Sequence, residues 1–201
     1  VTDPPPTPLS PPTDLPLSQP KVPLALPHTR VSSAIDRLLE AIGEAVSWVW
    51  LLLVVVIIGN VVLRYVFGAG RIEFEELQWH LYAIGFLSGL SYCMQADAHV
   101  RIDVLHERLR PRWQAWIELY GLLLLLFPFA ALICVYGVPF VSESFDSGEI
   151  SPSPGGLPYR WLIKSTLVVG FVLLVLAGIS RLTRVWAFLF GTPRSDTTGR
   201  G

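Results

Sequence analysis

FEELQWHLYAIGFLSGLSYCMQA, residues 74–96, is the stretch whose reading decides the fold. It offers about twenty mostly apolar residues, the length needed to cross a bilayer at 1.5 Å rise per residue. Charge brackets it: Glu73, Glu75 and Glu76 stand at its entrance, and HVRID at 99–103 follows its exit. Carboxylates at the mouth of a span need partners or water, because ionisable groups at membrane depth are costly. Outward from this run lie three more, at about 42–66, 113–138 and 161–186, each above the ~18 apolar-rich residues that mark a candidate span. Their polar residues sit mostly at the ends, where a soluble helical core would carry a polar face along each helix. The expected fold is an all-α membrane protein with four transmembrane helices and a short amphipathic interfacial helix between the second and third.

Composition agrees once its parts are separated. The hydrophobic fraction is 52% over 201 residues, but a Pro-, Ser- and Thr-rich beginning dilutes a very apolar remainder. Residues 1–29 cannot bury enough surface to offset their ordering entropy and read as a disordered cytoplasmic tail. Residues 30–190 read as the membrane domain and 191–201 as a second disordered tail. The first run is too long for a signal h-region and lacks a small-residue cleavage pattern, so it reads as a span. A formal net charge of -1 gives no field for nucleic acid. Cys93 and Cys134 both fall within spans and read as small packing residues. With no P-loop of the GxxxxGK[ST] type, nothing here couples to ATP.

Orientation follows from the basic residues. Lys21, Arg30, Arg37, Arg101, Arg108, Arg110, Arg112, Arg181, Arg184, Arg194 and Arg200 flank one side of the spans; Arg64, Arg71, Arg160 and Lys164 flank the other. The excess places both termini and the middle loop in the cytoplasm. Trp48, Trp50, Trp79, Trp113, Trp116, Trp161 and Trp186 lie near span ends, where amphipathic rings prefer the headgroup region. His99, Arg101 and Asp103 open the interfacial helix, in which charged residues interleave with Val100, Ile102, Val104, Leu105 and Leu109. Residues 139–159, rich in Ser, Pro and Gly and carrying Glu143, Asp146 and Glu149, read as an irregular outer loop of negative charge.

On the second helix, steps of three and four residues align Glu75, Gln78, Tyr82, Gly85, Gly89, Tyr92 and Ala96. Small residues let helices approach and polar ones bond across them, so this face suits packing against a helix of this chain or of a partner. A polar transport path is the alternative. Glu76 and His80 form an i,i+4 pair that could relay a proton. Arg64 closes the first helix at the same level and is a counter-ion for Glu75 or Glu76, a pairing that would lock the hairpin. His99 and His106 lie outside the spans, whereas a membrane haem site wants histidines facing each other inside the bundle. No metal or cofactor site is expected. Pro128 should kink the third span, and Lys164 can snorkel to the outer interface.

NVVLRYVF at 60–67, FEEL at 74–77, FLSG at 86–89 and HVRIDV at 99–104, in that order, resemble the small membrane subunit of tripartite ATP-independent periplasmic (TRAP) transporters, the DctQ type. The resemblance covers about residues 33–190, with Phe74 standing where members often place Trp. GEIS at 148–151, GGLPYRW at 155–161 and Lys164 are similar to a subgroup labelled for mannitol or chloroaromatic compounds. The resemblance implies a non-enzymatic subunit of the bacterial inner membrane. Its partners would be a periplasmic substrate-binding protein that captures an organic acid, a large membrane subunit that moves the acid with an ion, and membrane lipid. It also implies a scaffold and docking role with no substrate site in this chain. The residues alone leave two other readings: a stand-alone ion-coupled transporter using Glu75 or Glu76, and a redox membrane anchor.

Overall fold

A computed structural model describes residues 26–27, 29–96 and 110–191. The sites proposed at His99, Arg101 and Asp103, and most of the two tails, lie outside these residues. Among the described residues four helices run up and down and strands are absent: α1 Arg30–Val66, α2 Ile72–Gln95, α3 Pro111–Asp146 and α4 Trp161–Phe190. Three of them, α1, α3 and α4, are long and apolar enough to cross a membrane. The 24 residues of α2 rise about 36 Å, but Gln78, His80, Ser88 and Ser91 make it less apolar than the others.

The helices overrun the apolar segments where other forces extend them. α1 begins at Arg30 rather than near residue 42. Thr29 and Ser32 form a reciprocal capping box there, and Ser32, Asp36 and Leu39 on the extension are buried. α3 continues through Pro139 to Asp146, so Glu143 and Asp146 belong to the helix and the loop comprises only residues 147–160. Pro128 sits just after a π-helical stretch, Gly121–Leu126, in which the Phe127 N–H reaches back to the Leu122 carbonyl. A proline has no N–H to continue the α ladder, and the wider π turn before it takes up the break.

α4 is the central element. It packs on α1, α2 and α3, whereas α3 packs principally along α4. Small residues on α4 permit the close approach. A methyl group added at Gly170 would sit 2.7 Å from Leu87 Cβ on α2. One added at Gly178 would sit 2.6 Å from the Leu126 side chain on α3. Leu39, Leu173 and Ala177 form a core where α1 meets α4; Leu53, Val56 and Leu81 form another between α1 and α2. Leu26, ahead of α1, is buried with Ala115, Leu119 and Val185, which brings the chain's first described residues onto α3 and α4.

Candidate functional site

The hairpin between α1 and α2 and the loop 147–160 meet at one end of the bundle. Glu75 and Glu76 are adjacent, but successive helix positions point about 100° apart, so they face different neighbours. Glu75 looks outward and lies 3.5 Å from Arg64, both side chains substantially exposed. Arg71 and Glu73 pair more loosely, at 4.0 Å. Exposed pairs of this kind contribute about 1 kcal/mol at most. Glu76 turns inward and is only 8% exposed. One of its oxygens accepts from the Ser151 hydroxyl and the other from the Leu157 N–H at 2.6 Å. A carboxylate of α2 therefore fastens a loop about eighty residues downstream.

The loop is built to reach that carboxylate. α3 ends in a Schellman turn: Gly148 takes φ +59, its N–H bonds Phe145 O at 3.1 Å, and Glu149 N–H bonds Ser144 O at 3.1 Å. Gly156 lies directly over Glu76, where a Cβ would stand 2.4 Å from Ser151 Cβ and 2.8 Å from Glu76 Oε1. Glu149 holds the other side of the loop. It accepts from Lys164 and from the Ser144 hydroxyl at 2.7 Å, with Arg160 Nε at 3.7 Å. The Lys164 ammonium, then the Ser144 hydroxyl, keep the Glu149 carboxyl below its usual pKa. Lys164 also stands 4.0 Å over the Phe140 ring. The Glu149 charge is thus matched from within, and the loop's exposed large apolar side chains are Ile150 and Tyr159. Tyr159 adopts φ 65, a left-handed conformation unfavourable for a side chain of its size.

Along α2 the predicted face divides. Gly85 is buried under Trp50 of α1, whose ring would lie 2.9 Å from an added Cβ. At Gly89 an added Cβ would meet nothing within 4 Å. Tyr82 stacks on Phe86 and meets Trp50 edge-on, and all three rings remain exposed. Gln78 is half-buried. His80 donates from Nδ1 to the Glu76 main-chain carbonyl at 2.6 Å, so this nitrogen is engaged with backbone and not with the carboxylate. The structure thus brings Arg64 to Glu75 and Glu76 to the loop, while Tyr82 and Gly89 face outward. Among the described residues no group of three or more His, Cys, Asp or Glu could hold a metal ion.

A second charged cluster, at the opposite end, was not anticipated. Asp36 of α1 is buried, accepts from the Ser180 hydroxyl at 2.6 Å and pairs with Arg184, both on α4. One turn away, Arg181 Nε lies 2.7 Å from Glu118 Oε1 on α3, with both side chains largely buried. The signal was available: Glu118 and Arg181 fall inside apolar runs, where a charge requires a partner.

The family model described as "Tripartite ATP-independent periplasmic transporters, DctQ component" matches residues 53–188. Comparison with curated proteins and with solved structures returned no significant match.

Proposed function

The chain belongs to the DctQ component family of tripartite ATP-independent periplasmic transporters, and from that premise we propose that it is the scaffold of an ion-driven uptake system for an organic acid. In this reading it anchors the large transport subunit and helps dock the periplasmic binding protein. Residues 30–190 form its membrane unit, with α2 as a fourth span and both termini cytoplasmic. The excess of basic residues on the terminal side supports that orientation. The loop 147–160 then faces the periplasm, where Ile150 and Tyr159 offer apolar contacts to the binding protein.

The observation that carries the scaffold role is the use made of the costly carboxylates. Both Glu76 oxygens hold the loop and Glu75 faces Arg64. A coupling site for a stand-alone transporter needs such groups free to exchange ions, commonly near the bilayer midplane at broken helices. Here they fasten structure near a helix start. The exposed rings of Trp50, Tyr82 and Phe86, with Gly89 open beside them, supply a face for a partner helix.

Reconstitution tests this directly. The chain is expected to co-purify with the large subunit in mild detergent, and vesicles should take up substrate only when both are present with the binding protein. Robust ion-driven uptake by this chain alone would overturn the scaffold reading. A visible absorption spectrum in the purified protein would favour a redox anchor.

A further inference from the structure

We propose that a cleft at the start of α3, lined by Arg112, Trp113, Trp116 and Tyr120, binds an anionic phospholipid. The cleft is an open groove of about 460 Å³, at the end of the bundle where α3 begins and α4 finishes. Its wall is aromatic and braced from two helices. Trp116 stacks on Tyr120 at 5.7 Å and meets Phe190 of α4 edge-on at 6.0 Å, and Phe190 in turn packs on Trp186. These rings hold their shape without an occupant, yet Trp113 and Tyr120 remain more than half exposed.

Charge selects the occupant. Arg112 is exposed and, among the described residues, has no ion pair or hydrogen bond. The neighbouring acid on the same helix, Glu118, is held in the interior against Arg181. A guanidinium beside aromatic faces, one turn above an apolar wall, fits a phosphodiester with an acyl chain below it. The geometry continues that way: Tyr120 leads along the helix to the exposed Leu123 and Leu124, on a helix long and apolar enough to cross a membrane. A soluble phosphate would use the arginine and leave the aromatic and leucine surface uncovered, so the lipid is the better fit. This inference does not depend on the transport role.

Native mass spectrometry of the full chain in neutral detergent, titrated with dioleoylphosphatidylglycerol, tests it. One phosphatidylglycerol should be retained in preference to phosphatidylcholine. Arg112→Gln should weaken retention about tenfold, the loss expected when a charge-assisted hydrogen bond is removed. Arg71→Gln, at the other end of the bundle, should leave it unchanged. Arg112 is exposed, so its replacement should not affect folding, and an unaltered elution profile in size-exclusion chromatography would verify that. Equal retention by Arg112→Gln, equal retention of phosphatidylcholine, or displacement by millimolar inorganic phosphate would each overturn the proposal. Loss of the large subunit from Arg112→Gln with unchanged lipid retention would assign the cleft to a protein partner and overturn it as well.

Discussion

Glu75 and Glu76 share a chemistry and a position in sequence, yet their replacement should have very different consequences. Glu76→Ala removes two hydrogen bonds to a charged acceptor, from Ser151 and from Leu157 N–H. At about 1.5 kcal/mol each, less some rehydration of the freed donors, the loop should lose about 2–3 kcal/mol of local stability. Glu76→Gln keeps the shape. Its amide oxygen can accept from Leu157 N–H and its NH₂ can donate to Ser151, so the bonds become neutral and the cost falls to about 1 kcal/mol. Glu75→Ala loses only the exposed contact with Arg64, worth less than about 1 kcal/mol. Hydrogen exchange read by mass spectrometry on peptides covering residues 148–160 reports the opening directly. Exchange should accelerate about 30- to 150-fold in Glu76→Ala, since each 1.4 kcal/mol is tenfold, and change little in Glu75→Ala. The helices away from the loop should keep their protection. Equal acceleration in the two alanine variants, or none in Glu76→Ala, would refute the assignment of Glu76 as the loop's anchor.

Gly85 and Gly89, about one turn apart on α2, should also part company. Gly85→Leu should lower the thermal midpoint in detergent, because its Cβ already collides with Trp50, while Gly89→Leu should leave the midpoint alone and reduce co-purification with the large subunit. At the other end, Asp36→Ala should cost about 3–5 kcal/mol by leaving Arg184 in the interior without its acid, and Asp36→Leu combined with Arg184→Met should recover much of the loss; chemical unfolding of both variants beside the unaltered chain measures this. The pH response of the loop follows from Glu149. Its folded pKa lies below the usual 4.5, so its contribution is complete above that value and disappears as pH falls through the lowered folded pKa. Protease nicking of the loop should therefore rise only in acid, and Lys164→Met should move the onset to higher pH; an onset unchanged in that variant would count against the Lys164 contact as its cause.

The helices were legible because long apolar runs favour them: each of the four runs became a helix, and three of these are long and apolar enough to cross a membrane. Their ends were less so. Apolarity alone stops α1 near residue 42, but the chain begins the helix at a capping box, Thr29 with Ser32, which is local chemistry visible in the sequence to a search for caps. Pro139 looked like a loop residue and is helical, since a single missing N–H does not outweigh the turns on either side. Arg64 could be placed beside Glu75 or Glu76 because a short hairpin fixes their separation, but which of the two it meets depends on the helix's rotation. The bonds from Glu76 to Ser151 and from Asp36 to Ser180 and Arg184 could not, because they join residues far apart in the chain and depend on which helices become neighbours. Sequence gives the requirement for a partner at such positions; only the packing around α4 names the partner.

That packing also sets an order of events during synthesis. α4 is made after the other three described helices, yet it supplies Arg184 to Asp36 on the first helix and Arg181 to Glu118 on the third. Until it is made, α1 lacks the arginine that pairs with Asp36. A nascent chain stalled before residue 181 lacks both arginines. Among the described helices, the pairing of interior charge is therefore complete only once α4 has been made.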